Sequence, residues 1–141
     1  MSLNILVVED DREIIQVYKL VFPKYGLEII AVAYDGDEAV QQFIKYKDEI
    51  DLIVMDHRMP GKTGLEASRE ILAMDKNAKI VFGSADMQVR EAALALGVKV
   101  FLKKPFDMAE IVGGIKKMLC NGSLENDNGF STFHKSPNGA C

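Results

Sequence analysis

The chain has 141 residues, 48% of them hydrophobic, and its 17 Lys and Arg stand against 21 Asp and Glu for a net charge of −4. That length and apolar content suit one domain with a real core, needing neither disulfides nor a structural metal. The acidic balance excludes the broad cationic field of a non-specific nucleic-acid binder, and no run of 18 apolar residues is present to cross a bilayer.

Met1-Ser2-Leu3-Asn4 has neither the basic start nor the long apolar stretch of a signal peptide. The apolar run at residues 5–8 ends at once in carboxylates and reads as a first strand. Further short runs, nearly all apolar, follow at residues 28–33, 52–55, 79–82 and 98–102. Continuous apolar strands belong to a parallel sheet covered on both faces by helices. The intervening segments carry helix starts: Asp10 with Glu13, Asp35 with Glu38, Thr63 with Glu66 and Asp107 with Glu110 each pair a capping residue with a Glu three positions on. Gly26 and Gly97 stop the first and fourth helices, while Pro60-Gly61 and Lys104-Pro105 mark loops. The expected topology is (βα)5, a doubly wound α/β fold whose five-stranded parallel sheet has the order 2-1-3-4-5.

After Leu119 the pattern ends. Residues 121–141 include ten Gly, Asn or Ser and show no periodicity, so residues 1–119 are expected to form the domain and 120–141 a disordered tail. That tail is too short for a helix-turn-helix output module and carries one Lys and no Arg, which argues against direct promoter binding. Phe130 and Phe133 lie within it. Cys120 and Cys141, both near the end, make neither a disulfide framework nor a zinc site, and Cys141 reads as a free thiol in a reducing cytoplasm.

In the expected order strands 1 and 3 are neighbours whose connections leave towards opposite faces, and ligands bind in the crevice beyond their carboxyl ends. Strand 1 ends in Glu9-Asp10-Asp11 and strand 3 in Asp56-His57-Arg58-Met59-Pro60. Glu9, Asp10 and Asp56 converge there, and three like charges need a cation. Oxygen-only ligands suit a hard divalent ion, with Mg²⁺ the expected one. Asp at a strand end also serves as a helix cap, which accounts equally well for Asp10 or Asp11 alone but not for Asp56. Strands 4 and 5 add Gly83-Ser84-Ala85 and Lys103-Lys104-Pro105, of which one lysine should reach inward. A carboxylate, a hydroxyl, an ammonium and a metal around one point form a site for a phosphoryl group.

These motifs, Leu6-Val7-Val8-Glu9-Asp10-Asp11, Met55 to Gly61, Gly83-Ser84-Ala85 and Lys103-Lys104-Pro105-Phe106, resemble those of the response-regulator receiver domain, the CheY-like phosphoacceptor module of two-component signalling. The resemblance covers about residues 3–119. It implies that Asp56 accepts a phosphoryl group from the phosphohistidine of a sensor histidine kinase or histidine phosphotransfer protein. It also implies Mg²⁺ held by Asp10, Asp56 and the backbone carbonyl of Arg58, with Glu9 acting mainly through water. By the same resemblance Lys104 holds the phosphoryl oxygens, Ser84 turns towards them, Phe101 is the aromatic switch, and the Lys104-Pro105 bond is cis. The face made by the fourth helix, fifth strand and fifth helix would then meet a downstream protein or a second copy of the chain. Ser84 and Phe101 stand where Thr and Tyr are frequent in the family, and Lys62-Thr63-Gly64 replaces a frequent Asp-Gly pair. His57 is expected to point away from the site, and an Arg58 to Asp86 ion pair is expected to slow hydrolysis of the aspartyl phosphate.

Three rivals remain at this point. A Mg²⁺-dependent phosphatase with an aspartyl-phosphate intermediate would want an acid where Arg58 stands, and a cap segment. An FMN carrier would not place Glu9-Asp10-Asp11 against a phosphate. The chain could also be a receiver excised from a larger kinase or regulator. In the receiver reading it is a signalling module and not an enzyme with an external substrate.

Overall fold

The computed structural model describes residues 2–121. Five β/α units follow one another: β1 (Leu3–Val8), α1 (Arg12–Val21), β2 (Leu27–Ala33), α2 (Gly36–Tyr46), β3 (Leu52–Asp56), α3 (Gly64–Met74), β4 (Ile80–Ser84), α4 (Gln88–Leu96), β5 (Val100–Lys103) and α5 (Met108–Asn121). The strands are parallel and lie in the order β2-β1-β3-β4-β5. The doubly wound α/β expectation is met.

Each sheet face carries its own core, because side chains alternate across a strand. Ile5, Val7, Leu52, Val54 and Val81 face α1 and α5, where they meet Ile15, Phe22, Ile111 and Ile115. Leu6, Val8, Ile53, Met55, Ile80 and Phe82 face the other way, against Ala39 and Phe43 of α2, Ile71 of α3 and Ala93 of α4. Both cores exclude water from the strands, which is why the runs are apolar without alternation.

The caps agree with the motif spacing except at α1. Thr63 and Glu66 form a reciprocal capping box, Asp35 accepts from the Glu38 N–H, and Asp107 and Glu110 bond each other's backbone N–H. At α1 the cap is Asp11, whose carboxylate accepts from the N–H groups of Glu13 and Ile14, so Asp10 is released from that duty. The chain after α1 also departs from the expectation. A short 3-10 turn, Phe22–Tyr25, carries Pro23 before Gly26 reverses the chain at φ 80°. Gly97 ends α4 in the same left-handed way, at φ 113°. Cys120 is disulfide-bonded, although the two cysteines were expected to make no disulfide framework. The expected tail, with Phe130, Phe133 and Cys141, falls almost wholly outside the described residues.

Candidate functional site

Strand alternation decides which side chains can meet. Residues two apart share a face, so Glu9 follows Val7, Asp56 follows Val54 and Lys104 follows Leu102 onto the α1 and α5 side. His57, Ser84 and Phe101 fall on the opposite side, in line with Met55, Phe82 and the α3 and α4 core. The sheet ladder holds both sets level, through His57 N–H to Gly83 O at 3.2 Å and Lys104 N–H to Ser84 O at 3.0 Å.

On the first side the Lys104 ammonium sits 2.5 Å from Asp56 Oδ1 and 3.7 Å from Glu9 Oε1. Lys103 is exposed, so Lys104 is the lysine that reaches inward. Asp56 and Glu9 are buried, whereas Asp10 is exposed. Each of the three acids offers an oxygen within 4.8 Å of the others. Glycine at residue 83 leaves room for the Phe106 ring, from which a Cβ would stand only 3.0 Å, while the Lys104 stem would pass that Cβ at an ordinary contact distance of 3.7 Å. The Lys104-Pro105 bond is cis, as expected. Oxygen donors alone, two buried and one open to water, fit a hard divalent ion that keeps part of its hydration shell.

The electrostatics show what such an ion would relieve. Burial pushes the Glu9 carboxyl up from 4.5 to about 7, with the Asp56 charge adding to the rise and Lys104 opposing it. Burial also raises Asp56, more than its bond to Lys104 lowers it. Lys104 is itself partly desolvated, yet its bond to Asp56 and the charges around it leave it raised, so it stays an ammonium. A carboxyl raised in the folded state binds more protons there than in the unfolded chain, so stability falls as pH rises through the window. For Glu9 that window runs from about 4.5 to about 7. Chemical denaturation of the metal-free protein should therefore show a loss on the order of 3 kcal/mol across it, since each pKa unit is worth about 1.4 kcal/mol. Mg²⁺ should restore most of it; a flat profile would contradict the assignment.

On the opposite side His57 is turned into the protein. Its Nδ1 accepts from the Leu65 N–H at the start of α3, and its ring lies 5.7 Å from that of Phe82. Phe82 in turn stacks on the half-buried Phe101, with ring centroids 5.8 Å apart. The buried Ser84 hydroxyl accepts from the Asp86 N–H at 2.9 Å. The expected Arg58 to Asp86 ion pair is absent among the described residues. Asp86 is taken up at the start of α4, where its carboxylate accepts from the Gln88 N–H, and Arg58 is exposed.

The loop between β3 and α3 is fastened from outside the motifs. Lys62 reaches Asp37 of α2 at 3.3 Å and Glu70 of α3 at 2.6 Å. Nothing in the motifs points to Tyr18 either, yet this α1 residue lines a small cavity with Glu9, Asp56 and Lys104. Continuing the strand alternation beyond the apolar runs, and asking which α1 side chain faces the same way, would have found it.

A parallel doubly wound sheet with a metal-ready acid cluster and a lysine at its strand ends defines a class of phosphate-handling α/β domain. Residues 5–116 match the family model described as the response regulator receiver domain, and the chain belongs to that family. It is 33% identical over 120 residues to the chemotaxis protein CheY of Thermotoga maritima, covering 84% of this chain and 98% of that one. The solved CheX-CheY-BeF3-Mg complex from Borrelia burgdorferi contains a chain 31% identical to it, with a TM-score of 0.77 over 80% of this chain and 86% of that one. The response regulator TrrA of Thermotoga maritima, solved in complex with Mg(2+)-BeF, is 33% identical, with a TM-score of 0.73 over 84% of this chain and all of that one. The chain is thus a CheY-like receiver of two-component signalling with an acidic pocket suited to a phosphoacceptor Asp. Among the described residues no helix is long and apolar enough to cross a membrane.

Proposed function

We propose that Asp56 is the phosphoacceptor and that Glu9, Asp10, Asp56 and the Arg58 carbonyl hold Mg²⁺ beside it. The carrying observation is the Lys104 ammonium on Asp56 inside a cluster of three acids, an arrangement whose repulsion a divalent cation would relieve and whose ammonium can take up a phosphoryl oxygen. The relatives solved with Mg and beryllium fluoride support the same ion here. The metal supplies charge neutralisation on the transferred oxygens. Asp56 needs no general base. Its Oδ2 attacks phosphorus in line, the P–N bond to the donor imidazole breaks, and the electron pair stays on that nitrogen.

Lys104 then binds a phosphoryl oxygen in place of its bond to Asp56. Ser84 must give up the Asp86 N–H to turn towards the same group, and Phe101 responds on the α4 and β5 side. That face, with α5, is the surface through which the domain controls a protein partner or a second copy of itself, in the cytoplasm where its histidine kinase donor works. Incubation with a phosphorylated histidine kinase or phosphotransfer protein should move the label to wild type and not to Asp56→Asn. Label retained by the donor with both proteins would oppose the reading.

With no ion pair between them, Arg58 and Asp86 should act separately on the water path to the aspartyl phosphate. The half-lives of Arg58→Ala and Asp86→Ala should each change by a few-fold, and their free-energy effects should add in the double variant to within about 0.5 kcal/mol. Strong non-additivity would show that the pair forms once the phosphoryl group is in place.

A further inference from the structure

Beneath the acidic cluster lies a cavity of about 10 Å³, close to the smallest space that holds one water. Glu9, Asp56 and Lys104 line it at the strand ends, and Tyr18 lines it from α1. Tyr18 is 5% exposed, and its ring stacks on Phe22 with centroids 4.8 Å apart and planes 10° from parallel. Helical side chains lean towards the helix N-terminus, which for α1 lies at the carboxyl ends of the strands. The phenol therefore points out of the core towards the carboxylates.

A phenylalanine would fill that core position as well; the hydroxyl asks for a partner, because buried phenols are normally hydrogen-bonded. Among the described residues no protein group bonds it, and it is not one of their fully buried unpartnered atoms, so water reaches it. Burial, then the charges of Glu9 and Asp56, hold the phenol well above its ordinary pKa, so it remains a neutral donor. Of the two carboxylates Glu9 is the better acceptor. Asp56 Oδ1 is already taken by Lys104 at 2.5 Å and its Oδ2 is the oxygen assigned to attack phosphorus, whereas Glu9 Oε1 has only the longer 3.7 Å contact while its Oε2 is fixed by the Asp11 N–H at 3.1 Å.

We propose that the Tyr18 hydroxyl, donating through one water in this cavity, holds the Glu9 carboxylate in place and so strengthens divalent-cation binding by the acidic cluster. The inference rests on the reading of that cluster as a Mg²⁺ site. Tyr18 is a positioning residue: it touches neither phosphorus nor metal, but groups that orient metal-binding carboxylates affect affinity strongly.

Tyr18→Phe keeps the stack on Phe22 and removes only the hydroxyl. By titration calorimetry it should weaken Mg²⁺ binding about tenfold. In metal-free protein the carboxyl-carbon resonance of Glu9 should shift, which loss of ring packing elsewhere would not cause. In a Glu9→Asp background, where the carboxylate is one methylene shorter, the same substitution should cost less than about twofold. Equal losses in both backgrounds, or an unmoved Glu9 resonance, would overturn the proposal. Tight wild-type binding that Tyr18→Phe leaves unchanged would overturn it alone, whereas a wild type that binds no Mg²⁺ would overturn it together with the metal site.

Discussion

Lys104→Met is expected to slow phosphoryl uptake by about 10²- to 10³-fold, the usual loss when one donor aimed at developing charge is removed. Methionine preserves much of the stem that passes Gly83 and removes only the ammonium 2.5 Å from Asp56 and 3.7 Å from Glu9. Two consequences separate this from simple misfolding. The phosphoryl oxygens lose a partner, so the rate falls even at saturating Mg²⁺. The two buried carboxylates also lose their shared countercharge, so both should hold protons to higher pH than in wild type. Metal-free Lys104→Met should therefore lose more stability between pH 5 and pH 8 than wild type does, and Mg²⁺ should recover more of it. Rates of phosphoryl uptake from a small donor, with denaturation profiles across that range, check both. A variant phosphorylated at the wild-type rate would remove Lys104 from the mechanism.

Gly64→Ala is expected to have the largest effect on the fold. A Cβ at this position would overlap the Asp56 carbonyl oxygen and lie 2.8 Å from His57 Cα and 2.9 Å from Asp56 C. All three are backbone atoms of the strand end that carries Asp56, so no side chain can swing aside. Relief requires the start of α3 to separate from the end of β3. We expect a cost of about 3 kcal/mol or more, at the upper end for overpacking. That corresponds to a fall of at least about 10 °C in unfolding temperature. Phosphoryl uptake should fall too, because Asp56 moves with its own carbonyl. Gly61→Ala is the control: Gly61 sits at φ 73° with nothing within 4 Å of its would-be Cβ, so only backbone strain of about 1–2 kcal/mol applies. Equal melting temperatures for the two variants would contradict this account of the β3 to α3 junction.

The strand order and the placing of Asp56 were legible because the apolar runs, the paired caps and the acids at the strand ends all pointed to one topology. Lys104 over Lys103 became a matter of alternation once the strand ends were in place. What could not be read is where two neighbours of the same chemistry compete. Asp10 and Asp11 both suit a helix start, and only the folded loop shows Asp11 capping α1 while Asp10 faces solvent. Asp86 was expected to seek Arg58, but a backbone N–H two residues away is a nearer partner than a flexible guanidinium. Tyr18 was invisible for another reason. It sits on the apolar stripe of α1, where a tyrosine reads as core, and its hydroxyl matters only because α1 packs beneath Glu9 and Asp56.

The central claim is that Asp56 takes up a phosphoryl group when a divalent ion is present. Incubating the protein with Mg²⁺ and a small acyl-phosphate donor, then weighing it intact by mass spectrometry, tests this most directly. The account predicts one added phosphoryl group on wild type, none when Mg²⁺ is chelated, and none on Asp56→Asn. Addition to Asp56→Asn, or uptake by wild type that is indifferent to the metal, would contradict it.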